Sequence, residues 1–426
     1  MSRGSLSRLE PPSAVRVFCS PGVTRYIHEL VNGRIVPITE LTAAELGSWR
    51  DLAEHAIEPN PLFEPGCLVP AAEHLPNGPG IALVIAESEG RFFGCFPVHR
   101  VPPNARPSAA WGGVRRPTFT TQVIWRHRFD GTPLLAGERA TEAATTLLSV
   151  LKDESHARNA GILVLEWLDA DGPVASQIAA AAAALRLPLY THHSWSRPVV
   201  RRRPELTYRE IHGGKFLRNL GRLRRQLDEK LGSELQLVDR SADASAVDEL
   251  LAMEAAGYKG RSGVALAAFP GELEWFHEMC CRFRSEGRLV LYCLQAGDAV
   301  VAMQLMLRGG EGLFLLELTY DERWAHYRPG LQLHLDAIDR FHLATDAQWL
   351  DTCTYEDNET LLRMYPDRRT VSTVLVGIGG RIDRLFLRAS VVPYRILGPG
   401  STFRTRHQRM ARSVDWAVSK LRILPR

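Results

Sequence analysis

The chain has 426 residues, of which 45% are hydrophobic and 23% are charged. This length suits two or three domains, and this composition excludes wholesale disorder and collagen-like or low-complexity architectures. No apolar run approaches the roughly 18 residues that cross a bilayer, and the first residues lack the apolar core of a secretory signal. The seven cysteines are scattered, which is typical of reduced thiols. We therefore expect a soluble, cytoplasmic protein.

Two basic segments contrast with a net charge of only +4. Eleven Lys and Arg residues accompany four acidic residues between Arg197 and Lys230, and eleven accompany two between Arg381 and Arg426. The rest of the chain is therefore acidic. Such basic segments either bind an anionic partner or dock against acidic faces of the same protein.

The first half of the chain mixes helical and extended patterns. A helix predicted over 41–56 can be capped by Thr42, and the three prolines of 58–66 predict a rigid loop. The other predicted elements of this half are strands at 81–86, 91–100, 118–127 and 161–167 and helices at 138–153 and 174–185.

The second half begins with a basic helix and contains an antiparallel meander, because Gly-containing turns join three consecutive strands. The predicted helices are 215–231, 244–256, 272–285, 330–343 and 359–364. The predicted strands are 288–294, 299–308, 313–320, 348–352, 370–377 and 381–387.

Both halves share one order of elements: helices, a meander, a loop containing proline, a helix and a lone strand. Segments 130–135 and 326–331 fall at the same point of this order. The pattern predicts an internal duplication. We expect an N-terminal lobe over 1–195, a C-terminal lobe over 196–387 and a basic extension over 388–426.

The segment before the helix at 330–343 carries the clearest chemical signal. Pro329 is tolerated in the first turn of a helix, and Gly330 allows a ligand to approach the backbone closely. The free N–H groups of Gly330, Leu331 and Gln332, together with the helix dipole, can bind an anion such as pyrophosphate. Arg328 adds a positive charge. Pro-Gly before a helix is also common as a simple boundary signal.

This turn lies between a three-stranded meander and another strand, an arrangement that resembles the core of the GNAT acyltransferases. More narrowly, segments 58–65, 254–261, 327–331 and 365–369 resemble the CelD/BcsL-type branch, which is similar in fold to the Fem aminoacyl transferases. The resemblance covers roughly 41–387. It implies an α/β fold with tandem GNAT-like lobes, each a mixed, mostly antiparallel sheet flanked by helices.

The resemblance also implies acetyl-CoA or another acyl-CoA as co-substrate of the second lobe. The family's pyrophosphate loop reads Gln/Arg-x-x-Gly-x-Gly/Ala, whereas here Ala325 and Arg328 occupy the first two defined positions and only Gly330 matches. The equivalent segment of the first lobe, 132–134, is not expected to bind a cofactor. The residues predicted to hold the pyrophosphate are Tyr327, Arg328, Gly330, Leu331 and Gln332.

The reaction implied by the resemblance is direct transfer of an acyl group from a thioester to an amine or hydroxyl within a ternary complex. Backbone N–H groups around Leu318 and Thr319 would polarise the thioester carbonyl. Tyr355 could protonate the departing thiolate, although a packing role is the alternative.

Three carboxylates are candidates for the base. Glu254 shares the apolar stripe of its predicted helix, where burial would raise its proton affinity; an ion pair with Lys259 or Arg261 is the alternative. Glu317 lies on the last strand of the meander and would otherwise belong to a solvated strand face. Asp351 ends an apolar strand and would otherwise cap a turn.

The acceptor is expected to be an amine or hydroxyl of a small molecule, saccharide or peptide, and the sequence leaves its identity and the oligomeric state open. No DNA partner or metal site is expected, because His277 and Cys281 are only two potential ligands. The amphipathic extension is expected to dock on the body of the protein rather than bind a membrane.

Two other hypotheses remain open. One is a non-catalytic binding protein with eroded GNAT lobes. The other is Fem-like transfer from an aminoacyl-tRNA, and it is supported by the cations of the basic helix, Lys215, Arg218, Arg222, Arg224 and Arg225.

Overall fold

The structure, a computed structural model, describes residues 31–101, 118–124, 130–157, 160–211, 214–354, 358–365, 367–385 and 387–388. Its strands are β1 (Asn32–Pro37), β2 (Ile81–Ser88), β3 (Arg91–Val101), β4 (Thr118–Thr120), β5 (Leu134–Leu135), β6 (Ile162–Asp169), β7 (Leu189–Arg201), β8 (Gln236–Asp239), β9 (Leu289–Ala296), β10 (Ala299–Gly309), β11 (Gly312–Tyr320), β12 (Trp349–Asp351) and β13 (Asp367–Gly377). Its α-helices are α1 (Ala43–Glu54), α2 (Pro65–His74), α3 (Ala140–Ala157), α4 (Pro173–Ala184), α5 (Tyr208–Ile211), α6 (Lys215–Leu231), α7 (Ser245–Ala256), α8 (Tyr258–Arg261), α9 (Glu272–Ser285), α10 (Pro329–Ala344) and α11 (Glu359–Met364).

The described strands form one mixed sheet, and the pattern of parallel and antiparallel pairs is nearly the same when read from either edge. Its order is β1-β2-β3-β4-β6-β13-β7-β12-β11-β10-β9-β8, and β5 pairs with β3 outside this path. Two neighbouring pairs are parallel, β4 with β6 and β11 with β12, and they occupy matching places in the two halves of the order. This mixed α/β sheet confirms the predicted fold class, and its symmetry supports the predicted duplication.

The two halves exchange their last strands at the centre of the sheet. Strand β13 pairs with β6 of the first half, and β7 pairs with both β12 and β13 of the second half. The predicted inter-lobe boundary at 195/196 falls inside β7. The polar residues of this strand, such as His192 and His193, gave it no clear alternation, because its first eight residues are only half-buried or exposed.

The hydrophobic core is shared between the halves. Its larger cluster unites residues such as Trp49 and Leu165 of the first half with Trp275 and Leu316 of the second. The indole N–H of Trp275 on α9 donates to the carbonyl of Cys67 on α2 (3.2 Å). The two halves are therefore joined by a shared hydrophobic core as well as by the hydrogen bonds of the sheet.

Local signals account for most element boundaries. Thr42 caps α1, as predicted, and it forms a capping box with Glu45. The predicted strand at 381–387 is wrong: residues 381–385 are helical, and the Asp383 side chain accepts the Gly380 N–H (3.2 Å), which favours a helical turn. Among the helices of the described residues, none has both the length and the apolar character that a membrane span requires.

Candidate active site

The turn before α10 reverses the chain at a non-glycine residue. Arg328 adopts a left-handed conformation (φ 54°, ψ 52°), and Pro329 is the first residue of the helix, one position before the predicted start. A left-handed non-glycine residue costs on the order of 1–3 kcal/mol. Arg328 therefore supplies the backbone geometry of the glycine that the GNAT pattern places here, and it adds an exposed positive charge.

Gly330 allows the helix to pack directly on β11. A Cβ atom at this position would lie 3.3 Å from the ring of Tyr320 and 3.5 Å from the side chain of Leu318. The first distance is tighter than most real Cβ contacts and the second is an ordinary van der Waals contact, so a side chain here would require a small shift of the Tyr320 ring.

The predicted set of free N–H groups in this turn is partly wrong. The N–H groups of Leu331 and Gln332 both donate to the carbonyl of Arg328, at 3.1 and 3.2 Å. Within the described residues, only the N–H of Gly330 is left without an acceptor in the first turn after Pro329. The buried side chain of Gln332 donates to the carbonyl of Tyr327 (2.7 Å), so these two residues stabilise the turn itself.

A cavity of about 850 Å³ lies beside this turn. The first turns of α6 and α10 both border it, and so does one face of β11. Of the seven residues predicted to contact the cofactor, Leu318, Arg328, Gly330 and Leu331 line this cavity. The other lining residues are Tyr208, Phe216, Leu217, Tyr320, Ala325, His334, Asn358, Thr360, Leu361 and Met364.

One edge of β11 is open where it meets this cavity. Strand β12 ends at Asp351, opposite Phe314, so the rest of β11 has no strand partner on that side within the described residues. On the other side the register with β10 shifts between Leu305 and Met306, which leaves Leu316 as an extra residue in β11. Such a bulge bends the strand and re-aims the side chains after it.

The backbone near the open edge already has a partner. The N–H of Leu318, predicted to polarise a thioester, donates to Oε1 of Glu317 at 3.1 Å, and Thr319 lies opposite Met303 of β10. Because side chains alternate along a strand, Leu318 and Tyr320 face the cavity while Glu317 faces the opposite side.

Two of the candidate bases meet at one lysine. Lys259 Nζ forms an ion pair with Glu317 and lies 3.3 Å from Oε1 of Glu254, whose other carboxylate oxygen accepts the N–H of Leu266. The ion pair considered as the alternative for Glu254 is therefore present. Glu317 is only 6% exposed, so the solvated-face alternative is wrong.

This cluster perturbs the titration of its members. Burial raises the pKa of the Glu317 carboxyl, with the Lys259 charge acting in the opposite direction. Burial also disfavours the charge of Lys259, but Glu317 and Glu254 outweigh it and raise the pKa of the ammonium group. A buried carboxyl with a raised pKa, held beside an open strand edge, has the properties of a general base.

Asp351, the third candidate base, lies elsewhere. It is fully buried, accepts the Cys353 N–H (2.7 Å), and pairs with Arg197 (3.3 Å) and Arg369 (3.1 Å). Burial opposes its charge, but the two arginines outweigh it and lower the pKa of Asp351. Asp351 does not line the cavity, and Tyr355 lies outside the described residues.

A cavity residue that the sequence analysis missed is His334. It lies four residues after Gly330, and this spacing places both on one face of α10. The signal was present in the sequence, but a histidine on an otherwise apolar helix face is indistinguishable there from a core residue.

The described residues contain one three-residue cluster with potential metal ligands. Donor atoms of Glu73, His74 and Glu278 lie within 4.8 Å of one another. His74 and Arg282 already bind the carboxylate of Glu278, which accounts for its charge. The cluster does not border the cavity.

The second half of the chain matches a known domain family. Residues 214–358 match the family model described as the acetyltransferase (GNAT) domain. This segment begins at the residue before α6 and ends in the residues that line the cavity, so it contains the turn at Arg328 and the Lys259 cluster. Over this segment, the second half is therefore similar to the GNAT acetyltransferase domain.

Three solved structures are similar to the chain at low sequence identity. FemX is 9% identical over 79% of this chain and 96% of its own, with a TM-score of 0.49. A tandem GNAT protein from the clavulanic acid biosynthesis pathway is 15% identical over 80% and 98%, with a TM-score of 0.39. L-PGS from Bacillus licheniformis is 8% identical over 74% and 90%, with a TM-score of 0.42. No curated protein sequence shows significant similarity to the chain.

Proposed function

We propose that this protein transfers an acyl group from acetyl-CoA or another acyl-CoA to an amine or hydroxyl, directly and within a ternary complex. The observation that carries the proposal is the cavity in which the first turn of α10 meets the open edge of β11. The pyrophosphate of the donor would lie at the N–H of Gly330 and the charge of Arg328, where the helix dipole favours an anion.

The open edge of β11 would receive the thioester. There the Glu317 side chain would move away from the N–H of Leu318. This N–H would then donate to the thioester oxygen, where negative charge develops in the transition state. The released Glu317 carboxylate would take the proton of the attacking amine or hydroxyl as the bond to the acyl carbon forms and the carbon–sulfur bond breaks. Lys259 would remain paired with Glu254, which keeps its charge balanced while Glu317 is protonated.

The remaining candidates have different roles in this proposal. Two arginines neutralise Asp351, so we assign it no part in the proton transfer. Glu254 would act through Lys259 rather than on the acceptor. Protonation of the CoA thiolate by Tyr355 stays a prediction.

The identity of the acceptor stays open among small-molecule, saccharide and peptide amines or hydroxyls. The likeness to the CelD/BcsL-type branch and a cytoplasmic location belong to this proposal as well. The six described cysteines are free thiols, which supports a reducing compartment.

Ligand protection in thermal unfolding and titration calorimetry test the donor. A ligand at about 100 times its Kd should stabilise the folded chain by about 2.7 kcal/mol. We expect acetyl-CoA or a longer acyl-CoA to raise the Tm, with one CoA bound per chain. A chain whose Tm and heat of mixing do not respond to any acyl-CoA would contradict the proposal.

An aminoacyl-tRNA donor is the second candidate, and the exposed face of α6 favours it. None of the cations on this face makes an ion pair with a described residue, and the first turn of the same helix borders the cavity. Arg224, which was predicted on this face, pairs instead with Asp336 (2.6 Å). The exposed cations are Lys215, Arg218, Arg222, Arg225 and Lys230.

The same thermal experiment separates the two donors. Binding of tRNA to this face would weaken steeply as salt rises, because each phosphate contact releases counterions. Salt-sensitive protection by tRNA, with no effect of acyl-CoA, would replace the first candidate by the second.

A further inference from the structure

We propose that His334 is a specificity-determining residue of the donor site: its Nε2–H donates a hydrogen bond to an uncharged oxygen of the acyl donor, one helical turn from the pyrophosphate. This inference rests on the proposed function. It assigns a binding role to a buried histidine on α10 that no predicted site included.

The side chain of His334 borders the cavity that is proposed to hold the acyl donor. Its side chain lines the cavity together with Gly330 and Leu331 of the same helix face, although the residue is only 3% exposed. Nδ1 of His334 lies 3.3 Å from the hydroxyl of Tyr365, which is buried and does not line the cavity. Nε2 is therefore the ring nitrogen that remains for a ligand.

The hydroxyl of Tyr365 selects the tautomer of this ring. Within the described part of the chain, Nδ1 of His334 is the one hydrogen-bond partner of that hydroxyl. A buried hydroxyl hydrogen without an acceptor costs about 1–3 kcal/mol, so the Tyr365 O–H donates and Nδ1 accepts. The proton of the neutral imidazole is then on Nε2, which makes this nitrogen a donor.

The surroundings keep the ring neutral. Burial lowers the pKa of His334 to about 4, and burial raises the pKa of Tyr365 well above its usual value. A neutral N–H among apolar side chains such as Leu217, Leu361 and Met364 gives no charge for a second phosphate. It suits an amide carbonyl or a hydroxyl, which the apolar walls would otherwise leave without a partner.

The two hydrogen-bond donors that α10 offers to the cavity, the N–H of Gly330 and the Nε2–H of His334, lie a fixed distance apart. Gly330 and His334 are four residues apart, and each residue of a helix advances about 1.5 Å, so their Cα atoms lie about 6 Å apart along the axis. The ligand that fits this pair carries an anion at one end and an uncharged acceptor about one helical turn away. In an acyl-CoA the pantetheine chain, which follows the pyrophosphate, carries such acceptors.

Variants of the full-length chain test this role by calorimetry with CoA and by steady-state kinetics. His334→Phe keeps an aromatic ring without the donor, and it should raise the Kd for CoA by about 10-fold while kcat stays within about two-fold. His334→Gln carries an amide donor and should recover most of this loss. His277→Gln, on α9 and outside the cavity, is the matched control and should bind as the wild type does.

A second measurement reads the tautomer itself. Nitrogen NMR of the free wild-type chain should show the Nε2–H form of His334, and this signal should shift when CoA is added. Tyr365→Phe removes the partner of Nδ1, so both tautomers should appear and CoA binding should weaken by about three-fold.

Three results would overturn the inference. They are unchanged CoA affinity in His334→Phe, a large fall in kcat with unchanged affinity, and a wild-type ring protonated on Nδ1. A wild-type chain that binds no CoA would overturn the proposed function as well. The two failures are distinguishable, because failure at His334 alone leaves wild-type CoA binding intact.

Discussion

The two halves of the sheet place a proline turn at the same point and use it in opposite ways. In the second half, Pro329 begins α10 directly and the turn faces a large cavity. In the first half, Pro133 leads into the short strand β5, and α3 begins only at Ala140. The same order of elements therefore presents a helix N-terminus to a cavity in one half and a hydrogen-bonded loop in the other.

The first-half loop is closed by its own side chains. Asn60 donates to the carbonyls of Asp130 (3.2 Å) and Thr132 (2.9 Å), and the Asp130 carboxylate accepts the N–H of Thr132 (2.8 Å). A Cβ atom at Gly131 would lie 1.7 Å from the carbonyl oxygen of Glu166, so no side chain could be added. The carbonyls of Asp130 and Thr132 and the N–H of Thr132 are therefore already hydrogen-bonded within the protein.

A second helix of the first half, α4, also has an N-terminus that is occupied by a side chain of the protein. Helix α4 begins with Gly172 and Pro173, much as α10 begins with Pro329 and Gly330. Here, however, the buried Glu58 carboxyl accepts the Val174 N–H (2.8 Å) at the position where a ligand anion would bind. The comparison teaches that a helix N-terminus becomes a candidate ligand site only where no side chain of the protein already accepts its free N–H groups.

The largest effect is expected from filling the second-half turn. Gly330→Trp should weaken CoA binding by at least about 100-fold, because Gly330 lines the cavity and the ring would occupy the space proposed for the pyrophosphate. Calorimetry should show the loss while the circular dichroism of the fold is retained.

The matched control places the same substitution before the equivalent helix of the first half. Gly137→Trp, at an exposed position just before α3, should leave one CoA bound per chain with wild-type affinity. Weaker binding in Gly137→Trp, or a second equivalent CoA site in the wild type, would break the contrast between the halves.

The next effect concerns the Lys259 cluster, which belongs to the second half. Glu317→Gln keeps the shape of the side chain but removes the base, so kcat should fall by roughly 100-fold. Glu254→Gln should lower kcat less, because Glu254 acts through Lys259, and it should lower the Tm because it weakens a buried ion pair. CoA affinity should stay near that of the wild type in both.

The reverse order of these two effects would reassign the base. A near-normal kcat in Glu317→Gln together with a loss of about 100-fold in Glu254→Gln would make Glu254 the base, as its helix stripe first suggested. Normal turnover in both variants would limit the cluster to a structural role.

Sequence alone predicted the parts of this contrast that depend on local signals. Gly-containing turns identified the β9–β11 meander, and Pro329 with Gly330 identified the start of α10 to within one residue. These signals act over a few residues, and the chemistry of each residue limits the backbone directly.

The parts that depend on distant contacts were not predictable in the same way. Strand β7 lacks a clear alternation because its first eight residues are half-buried or exposed. Its partners β12 and β13 are not adjacent to it in sequence, so no local signal indicated the pairing. The sequence indicates Lys259 as one of two possible partners of Glu254. Its contact with Glu317 was not predictable, because the two residues are 58 positions apart. The tautomer of His334 likewise requires Tyr365, a partner 31 residues away.

A smaller effect should appear in the pH dependence of stability, from Glu58 in the first half. Burial raises the pKa of Glu58 to about 8, whereas its ordinary value is 4.5. The folded chain therefore holds this proton up to about pH 8, and the unfolded chain releases it near pH 4.5. The contribution of Glu58 is fully present below pH 4.5 and is lost as the pH rises to 8.

Glu58→Gln has no such titration and can still accept the Val174 N–H through its amide oxygen. The Tm of the variant relative to the wild type should therefore rise by a few degrees between pH 5 and pH 8.5. Glu311→Gln, on the exposed turn between β10 and β11, is the control and should show no such trend. A constant difference for Glu58→Gln would mean that this helix N-terminus holds a charged carboxylate.

The smallest effect separates the two contributions of Arg328, its charge and its backbone. Arg328→Gly and Arg328→Ala both remove the charge, so both should weaken CoA binding several-fold and to a similar extent. Only glycine adopts the left-handed conformation without strain, so Arg328→Ala should be less stable than Arg328→Gly by about 1 kcal/mol in chemical denaturation. Equal stabilities would show that the turn relaxes when the side chain is shortened. In that case Arg328 would hold its strained backbone through side-chain interactions rather than through the packing of Pro329 and Gly330 against β11.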